Sequence, residues 1–139
     1  MVLVIADSEI IRGFEDCTLS AASFGHREHL RVAWAYLRAH SFADAAARFA
    51  TNLRRFADAH GASGKYHETV TWAYMAILHE RMHASRELSF DELLAKNPDL
   101  LDHEHGALRA HYDRATLASD LARAVFVLPR PRLEDGAKP

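Results

Sequence analysis

The sequence predicts an all-α fold, a compact bundle of about five to six helices. Apolar residues recur every three or four positions along most of the chain, with no alternation of strands and helices and no internal repeat. Residues 70–78 are apolar around almost the whole circumference of a helix. Because a helix without a polar face belongs in the middle of a bundle, we predict that the helix over 67–83 is central.

The first two helices are predicted from their caps and apolar faces. The first begins after Asp7 or Ser8 and ends before a break at residues 20–24. Its apolar side contains Ile10, Ile11 and Phe14. The second helix spans residues 26–40, and its apolar face contains Leu30, Ala33 and Leu37.

The third helix has the clearest pattern in the chain. Ser41 with Asp44 resembles a capping box, and Gly61 marks the end of the helix. The apolar stripe between them consists of Phe42, Ala46, Phe49, Leu53 and Phe56. A turn over residues 61–65 then leads into the fourth helix.

Past the fourth helix, the pattern predicts shorter elements. Ser89 with Glu92 indicates a cap for a helix that Pro98 ends. Two further helices are expected over 99–112 and 115–126. Residues 1–128 then form a single all-α domain, and residues 129–139 form an extended or frayed tail.

Composition excludes several classes of function. The 139 residues carry a net charge of −2, and the basic residues form no run that suits nucleic acid or an anionic membrane. Cys17 is the single cysteine, so an internal disulfide framework is excluded. No apolar stretch reaches the ~18 residues of a membrane span, and the apolar start is too short for a signal peptide. A cytoplasmic location is therefore expected.

Histidines from two helices are predicted to meet at one end of the bundle. Because short turns join antiparallel neighbours, the second and fourth helices begin at the same end. That end would hold His26, His29 and His67 out of the ten histidines of the chain. Three imidazoles with an open position are typical of catalytic zinc, and iron, nickel or copper also accept imidazole. We predict these three histidines as metal ligands.

Polar neighbours supply the other predicted roles. Glu68 and Tyr66 are the candidate catalytic residues, with Glu68 or Glu28 as a fourth ligand or general base. Two helix N-termini favour an anion, so the expected substrate is a small anionic molecule. The candidate substrate-binding residues are Lys65, Thr69 and Thr71.

Two segments carry a resemblance to a known family, SFGHREHLRVAWAYL at residues 23–37 and GKYHETVTWAY at residues 64–74. They resemble a family of small, uncharacterised bacterial helical proteins with a THxxHL segment and a downstream GYHETIT segment, over roughly residues 10–80. The chain has Gly25 in place of the threonine and Lys65 in place of the glycine. The resemblance implies no activity. It implies a site of His26, His29, Tyr66, His67, Glu68 and Thr69.

Two other histidine groups compete with this site. The segment HERMH, residues 79–83, matches the HExxH motif in which two histidines hold zinc and a glutamate activates water. No strand pattern precedes it, so a zinc protease is the weaker interpretation. The polar segment with His103, His105 and His111 is expected to be solvated surface.

Two functions from different classes follow from the predicted site. The first is a metal-dependent enzyme that activates water for hydrolysis, hydration or elimination of a small anionic substrate. The alternative is a non-catalytic ligand-binding or regulatory protein that uses the same polar pocket. In both, the partner is a small molecule, and a homodimer would cover the long apolar fourth helix.

Overall fold

The computed structural model describes residues 7–102 and 106–129. Those ranges contain seven α-helices, four short 3-10 turns and no β-strand, which confirms the predicted all-α bundle. The helices are α1 (Asp7–Glu15), α2 (His26–Ala39), α3 (Phe42–Ala59), α4 (Glu68–Ala84), α5 (Phe90–Lys96), α6 (Arg114–Ala118) and α7 (Asp120–Ala124).

Local caps define where several helices begin and end. The side chain of Ser41 accepts a hydrogen bond from the backbone N–H of Asp44 at 3.2 Å and so starts α3, as the spacing predicts. Gly61 follows α3 with φ of +67°, a left-handed conformation that glycine adopts without steric cost. Ser89 and Glu92 form the predicted capping box of α5.

The core of the bundle begins with an aromatic cluster around Phe14 of α1. The ring of Phe14 lies 4.8 Å from that of Phe24, 5.6 Å from that of Phe49 and 5.8 Å from that of Phe56, measured between centroids. All four side chains are buried. These ring contacts join α1 to α3 and to the segment before α2.

The fourth helix occupies the central position that its apolar sequence predicts. It packs against α2, α3 and α7 and against the 3-10 turn Ala107–Ala110. Its buried residues are Thr69, Thr71, Ala73, Tyr74, Met75, Ile77 and Leu78. Within the described ranges, no helix combines the length and the apolar character that crossing a bilayer requires.

The two predicted C-terminal helices differ from the observed structure. Residues 99–112 do not form one helix, because the described part of that segment holds two separate 3-10 turns, Pro98–Leu100 and Ala107–Ala110. A Cβ at Gly106 would overlap the carbonyl oxygens of Asp99 and Asp102, so the backbone folds back on itself there. Such a close approach is incompatible with a continuous helix.

The segment predicted as a helix over 115–126 is divided into α6 and α7 at Ser119. The backbone of Ser119 is extended, and its hydroxyl oxygen accepts from the N–H of Ala122 at 3.1 Å. Because the side chain of Ser119 caps α7, α6 ends at the same residue. The spacing of apolar residues alone does not show this break, since it also fits one continuous helix. Residues 103–105 and 130–139, which include His103, His105 and most of the predicted tail, lie outside the described ranges.

Candidate functional site

The first turn of α2 holds His26 and His29, both half-buried. The ring of His29 stands edge-on to Phe24, with 4.3 Å between centroids. The Nε2 atom of His26 lies 2.7 Å from the carbonyl oxygen of Leu100. Because a carbonyl only accepts, His26 carries its hydrogen on Nε2. Glu28 accepts from the N–H of Gly25 at 2.9 Å and so stabilises the start of the helix.

Both histidines line a small cavity between α2, α3 and α4, which we name the histidine cavity. Its volume is about 70 Å³. Thr71 also lines it, so the starts of α2 and α4 meet at one end of the bundle, as the topology predicts. The complete lining consists of His26, His29, Leu30, Ala33, Phe49, Leu53, Val70, Thr71, Tyr74 and Met75.

Tyr74 also lines the cavity, although the sequence pattern does not predict it as a site residue. Its ring lies against that of His26, with centroids 5.1 Å apart. Its hydroxyl is buried and has no hydrogen-bond partner among the described residues. Burial, followed by the negative charges of Asp102 and Asp99, raises the pKa of Tyr74 to about 12. Tyr74 lies three residues after Thr71, so the sequence places both on the same face of α4. Within an apolar run, however, a tyrosine is interpreted as a core residue.

His67 does not line the histidine cavity. It is the N-cap of α4, where its Nδ1 accepts from the N–H of Val70 at 3.1 Å. Its Nε2 lies 2.7 Å from the carbonyl oxygen of Leu117. Both ring nitrogens are therefore engaged, and the lone pair that a metal would use is already shared with a backbone N–H.

The predicted metal ligands do not form a common site in this structure. Among residues 7–102 and 106–129, no group of three or more histidine, cysteine, aspartate or glutamate side chains is close enough to hold a metal ion. Topology brought the helix starts together, but the N-cap position turns the ring of His67 toward its own helix and toward α6.

The two predicted catalytic residues lie together but outside the histidine cavity. The hydroxyl of Tyr66 donates to Oε1 of Glu68 at 2.6 Å, and Arg54 of α3 donates to the same oxygen at 3.0 Å. The Arg54 guanidinium also lies 4.7 Å from the centroid of the Tyr66 ring. Burial, and then the bond to Glu68, raises the pKa of Tyr66 to about 12. These contacts form a cluster that joins α3 to the start of α4.

The predicted substrate-binding residues have three different environments. Thr69 is fully buried, and its hydroxyl donates to the carbonyl of Val125 at 2.9 Å and accepts from the N–H of Val127 at 3.0 Å. Thr71 lines the cavity while donating to the carbonyl of His67 at 2.7 Å. Lys65 is exposed. Of these residues, only Thr71 is placed to meet a ligand in the histidine cavity.

The HERMH segment presents its residues to two different cavities. His79 and His83 line a pocket of about 340 Å³, whereas Glu80 lines another of about 180 Å³ beside His111 and Tyr112. The Nδ1 atom of His83 accepts from Arg86 at 3.1 Å. In an HExxH protease the glutamate must reach the water on the metal that both histidines hold. This division argues against protease chemistry.

Comparison of the chain with protein-family models, with curated proteins and with solved structures finds no match. The resemblance to the family with THxxHL and GYHETIT segments stays a prediction. The assignment of a function therefore depends on the geometry of the side chains.

Proposed function

We propose that this protein is a non-catalytic helical ligand-binding protein and that its ligand occupies the histidine cavity. His26, His29, Thr71 and Tyr74 line this cavity, and apolar side chains form the rest of its wall. No described carboxylate lines it, so a carboxylate general base is missing from the arrangement. Such a composition, apolar with a few convergent polar groups, is typical of binding sites.

The buried hydroxyl of Tyr74 is the observation that carries this proposal. Native proteins leave few buried polar atoms without a hydrogen bond, and an unsatisfied one calls for a bound water, ion or ligand. This hydroxyl has no partner among the described residues. A ligand with a polar atom in reach of Tyr74 would satisfy it.

The dimensions of the cavity restrict the ligand. One water needs ~10–15 Å³ of such volume, and a cavity of ~150 Å³ holds benzene. At about 70 Å³, the histidine cavity accommodates only a few non-hydrogen atoms. The ligand is therefore a small molecule with a polar end and an apolar side.

A metal-dependent enzyme is the second candidate, because His26 and His29 lie three residues apart and line one cavity. Zinc, iron, nickel or copper would bind this pair of imidazoles and activate water for hydrolysis, hydration or elimination. His67 would join them only by giving up its bond from Val70.

One experiment separates the two candidates. The protein is purified without a histidine tag, its metal content is measured, and small amides, alcohols and carboxylates are titrated while backbone amide NMR signals are recorded. A binding protein gives metal-free samples and saturable shifts in the first turn of α2 and at Thr71. Tyr74→Phe should weaken that binding, because it removes the hydroxyl that the ligand satisfies.

Histidine variants complete the comparison. One equivalent of metal that is lost in His29→Ala, with the fold retained, would replace the binding function with the metal-dependent one. His111→Ala is the matched control, because this exposed histidine lies outside the histidine cavity. Absence of both metal and saturable shifts would contradict both candidates.

A further inference from the structure

A larger pocket lies where the last turns of α2 and α4 meet α5, and we name it the basic pocket. His79, His83, Arg38 and Arg86 line it. Its volume of about 340 Å³ falls within the ~300–1,000 Å³ of small-molecule sites. We propose that the basic pocket binds a small organic anion whose apolar body carries a ring. This site is independent of the histidine cavity.

The charge around the basic pocket favours an anion. Arg38 of α2 and Arg86, which follows α4, both line it, and no described carboxylate lines it. Among the described residues, neither arginine forms an ion pair with a carboxylate, so both guanidinium groups keep their charge uncompensated. Two guanidinium groups beside one pocket can donate paired hydrogen bonds to a carboxylate, sulfonate or phosphate.

Both arginines are held in place by neighbouring rings. The guanidinium carbon of Arg38 lies 4.8 Å from the centroid of the Trp34 ring. Arg86 donates from Nη2 to Nδ1 of His83 at 3.1 Å. Because that nitrogen accepts, the hydrogen of a neutral His83 is on Nε2, where it is a further donor. These contacts reduce the entropy that the side chains lose when an anion binds.

The floor of the basic pocket is apolar. Trp34, Leu37 and Leu93 line it and are buried, while Met82 and Leu88 line it and are half-buried. An inorganic anion alone would leave this surface in contact with water. A ligand with a ring beside its charged group covers the apolar floor and reaches the guanidinium groups at once. The volume exceeds the ~150 Å³ that holds benzene, so a ring and its charged group both fit.

A divalent metal ion is a disfavoured occupant of the basic pocket. His79 and His83 could attract a divalent metal ion, but Arg38 and Arg86 place positive charge beside them and would repel it. The carbonyls at the end of α4 disfavour an anion, because a helix C-terminus is partially negative. Two full positive charges outweigh that partial charge at the same distance.

The test compares phenylacetate with its uncharged isostere phenylacetamide. Each is titrated into the full chain, and the indole N–H of Trp34 and the backbone amide of Arg86 are followed by NMR. We expect saturable shifts with phenylacetate and binding about tenfold weaker for phenylacetamide, since a charge-assisted bond is lost. Arg38→Gln and Arg86→Gln should each weaken phenylacetate binding about tenfold.

Controls make the result decisive. Arg114→Gln should bind phenylacetate like the original chain, because this exposed arginine in α6 does not line the basic pocket. Equal affinity for phenylacetate and phenylacetamide would overturn the proposal, as would unchanged binding in Arg38→Gln and Arg86→Gln. Inorganic phosphate that binds as tightly as phenylacetate would overturn the role of the apolar body. Absence of saturable binding would overturn the site itself.

Discussion

The imidazole ring of His67 joins two parts of the chain that lie 50 positions apart, because its Nε2 is 2.7 Å from the carbonyl oxygen of Leu117. On the opposite side of the ring, Nδ1 accepts the backbone N–H of Val70. The ring thus caps α4 and ties α6 to it. A neutral imidazole with one donor and one acceptor satisfies both bonds together.

Substitution of His67 should therefore reduce stability. We expect His67→Ala to lower the free energy of unfolding by about 2 kcal/mol, since it removes a helix cap and a hydrogen bond to Leu117. His67→Asn should lose less, because asparagine is a good N-cap. Urea denaturation measures both. Unchanged stability with loss of bound metal in His67→Ala would instead support the predicted ligand role.

Tyr74 and Tyr112 are both buried, but we expect loss of the hydroxyl to change stability differently at the two positions. The Tyr112 hydroxyl donates to the carbonyl of Val127 at 2.7 Å, whereas that of Tyr74 has no partner among the described residues. Tyr112→Phe should lower the free energy of unfolding by about 1 kcal/mol. Without ligand, Tyr74→Phe should leave stability unchanged or raise it. If thermal unfolding shows the same loss of stability in Tyr74→Phe and Tyr112→Phe, the Tyr74 hydroxyl forms a hydrogen bond in solution, contrary to this expectation.

Thr69 should anchor the segment that follows α7. Its hydroxyl bonds the backbone of Val125 and Val127, so Thr69→Val removes two hydrogen bonds from a fully buried position. We expect a loss of about 1–3 kcal/mol and faster amide exchange at Val127. Thr69→Ser keeps the hydroxyl and is the control. Similar exchange at Val127 in both variants would contradict this role.

The Arg81–Asp99 ion pair should make stability depend on acid pH. Two bonds of 2.9 and 2.8 Å join their side chains, and the bond to Arg81 lowers the pKa of Asp99. An aspartate with a lowered folded-state pKa stabilises the fold above its unfolded pKa of ~3.9, and this contribution disappears as pH falls through the folded value.

Asp99→Asn measures that contribution. Because both side chains are partly exposed, we expect a loss of only about 0.5–1 kcal/mol near neutral pH, and a smaller difference from the original chain in strong acid. Urea unfolding at both pH values gives the comparison. Asp91→Asn is the control, because Asp91 pairs with Arg27 at a more exposed position. A loss for Asp99→Asn that persists in acid would contradict the electrostatic origin.

Local interactions allowed much of the fold to be predicted. The bonds that start α3 at Ser41 and α5 at Ser89 connect residues three positions apart, so a short window of sequence contains them. The central place of α4 follows from its lack of a polar face. At Ser119 the local information was ambiguous, because apolar spacing favoured one helix and a serine cap favoured two.

The candidate site was predicted only in part, because some of its contacts join segments that are distant in the sequence. Order along the chain predicted that the starts of α2 and α4 meet at one end of the bundle, since short turns make neighbouring helices antiparallel. The structure places His26, His29 and Thr71 around one cavity at that end. Only the tertiary structure decided the direction of the His67 ring. The carbonyl of Leu117 comes from a distant segment, and the competition among backbone groups for two ring nitrogens depends on distances that sequence spacing does not contain.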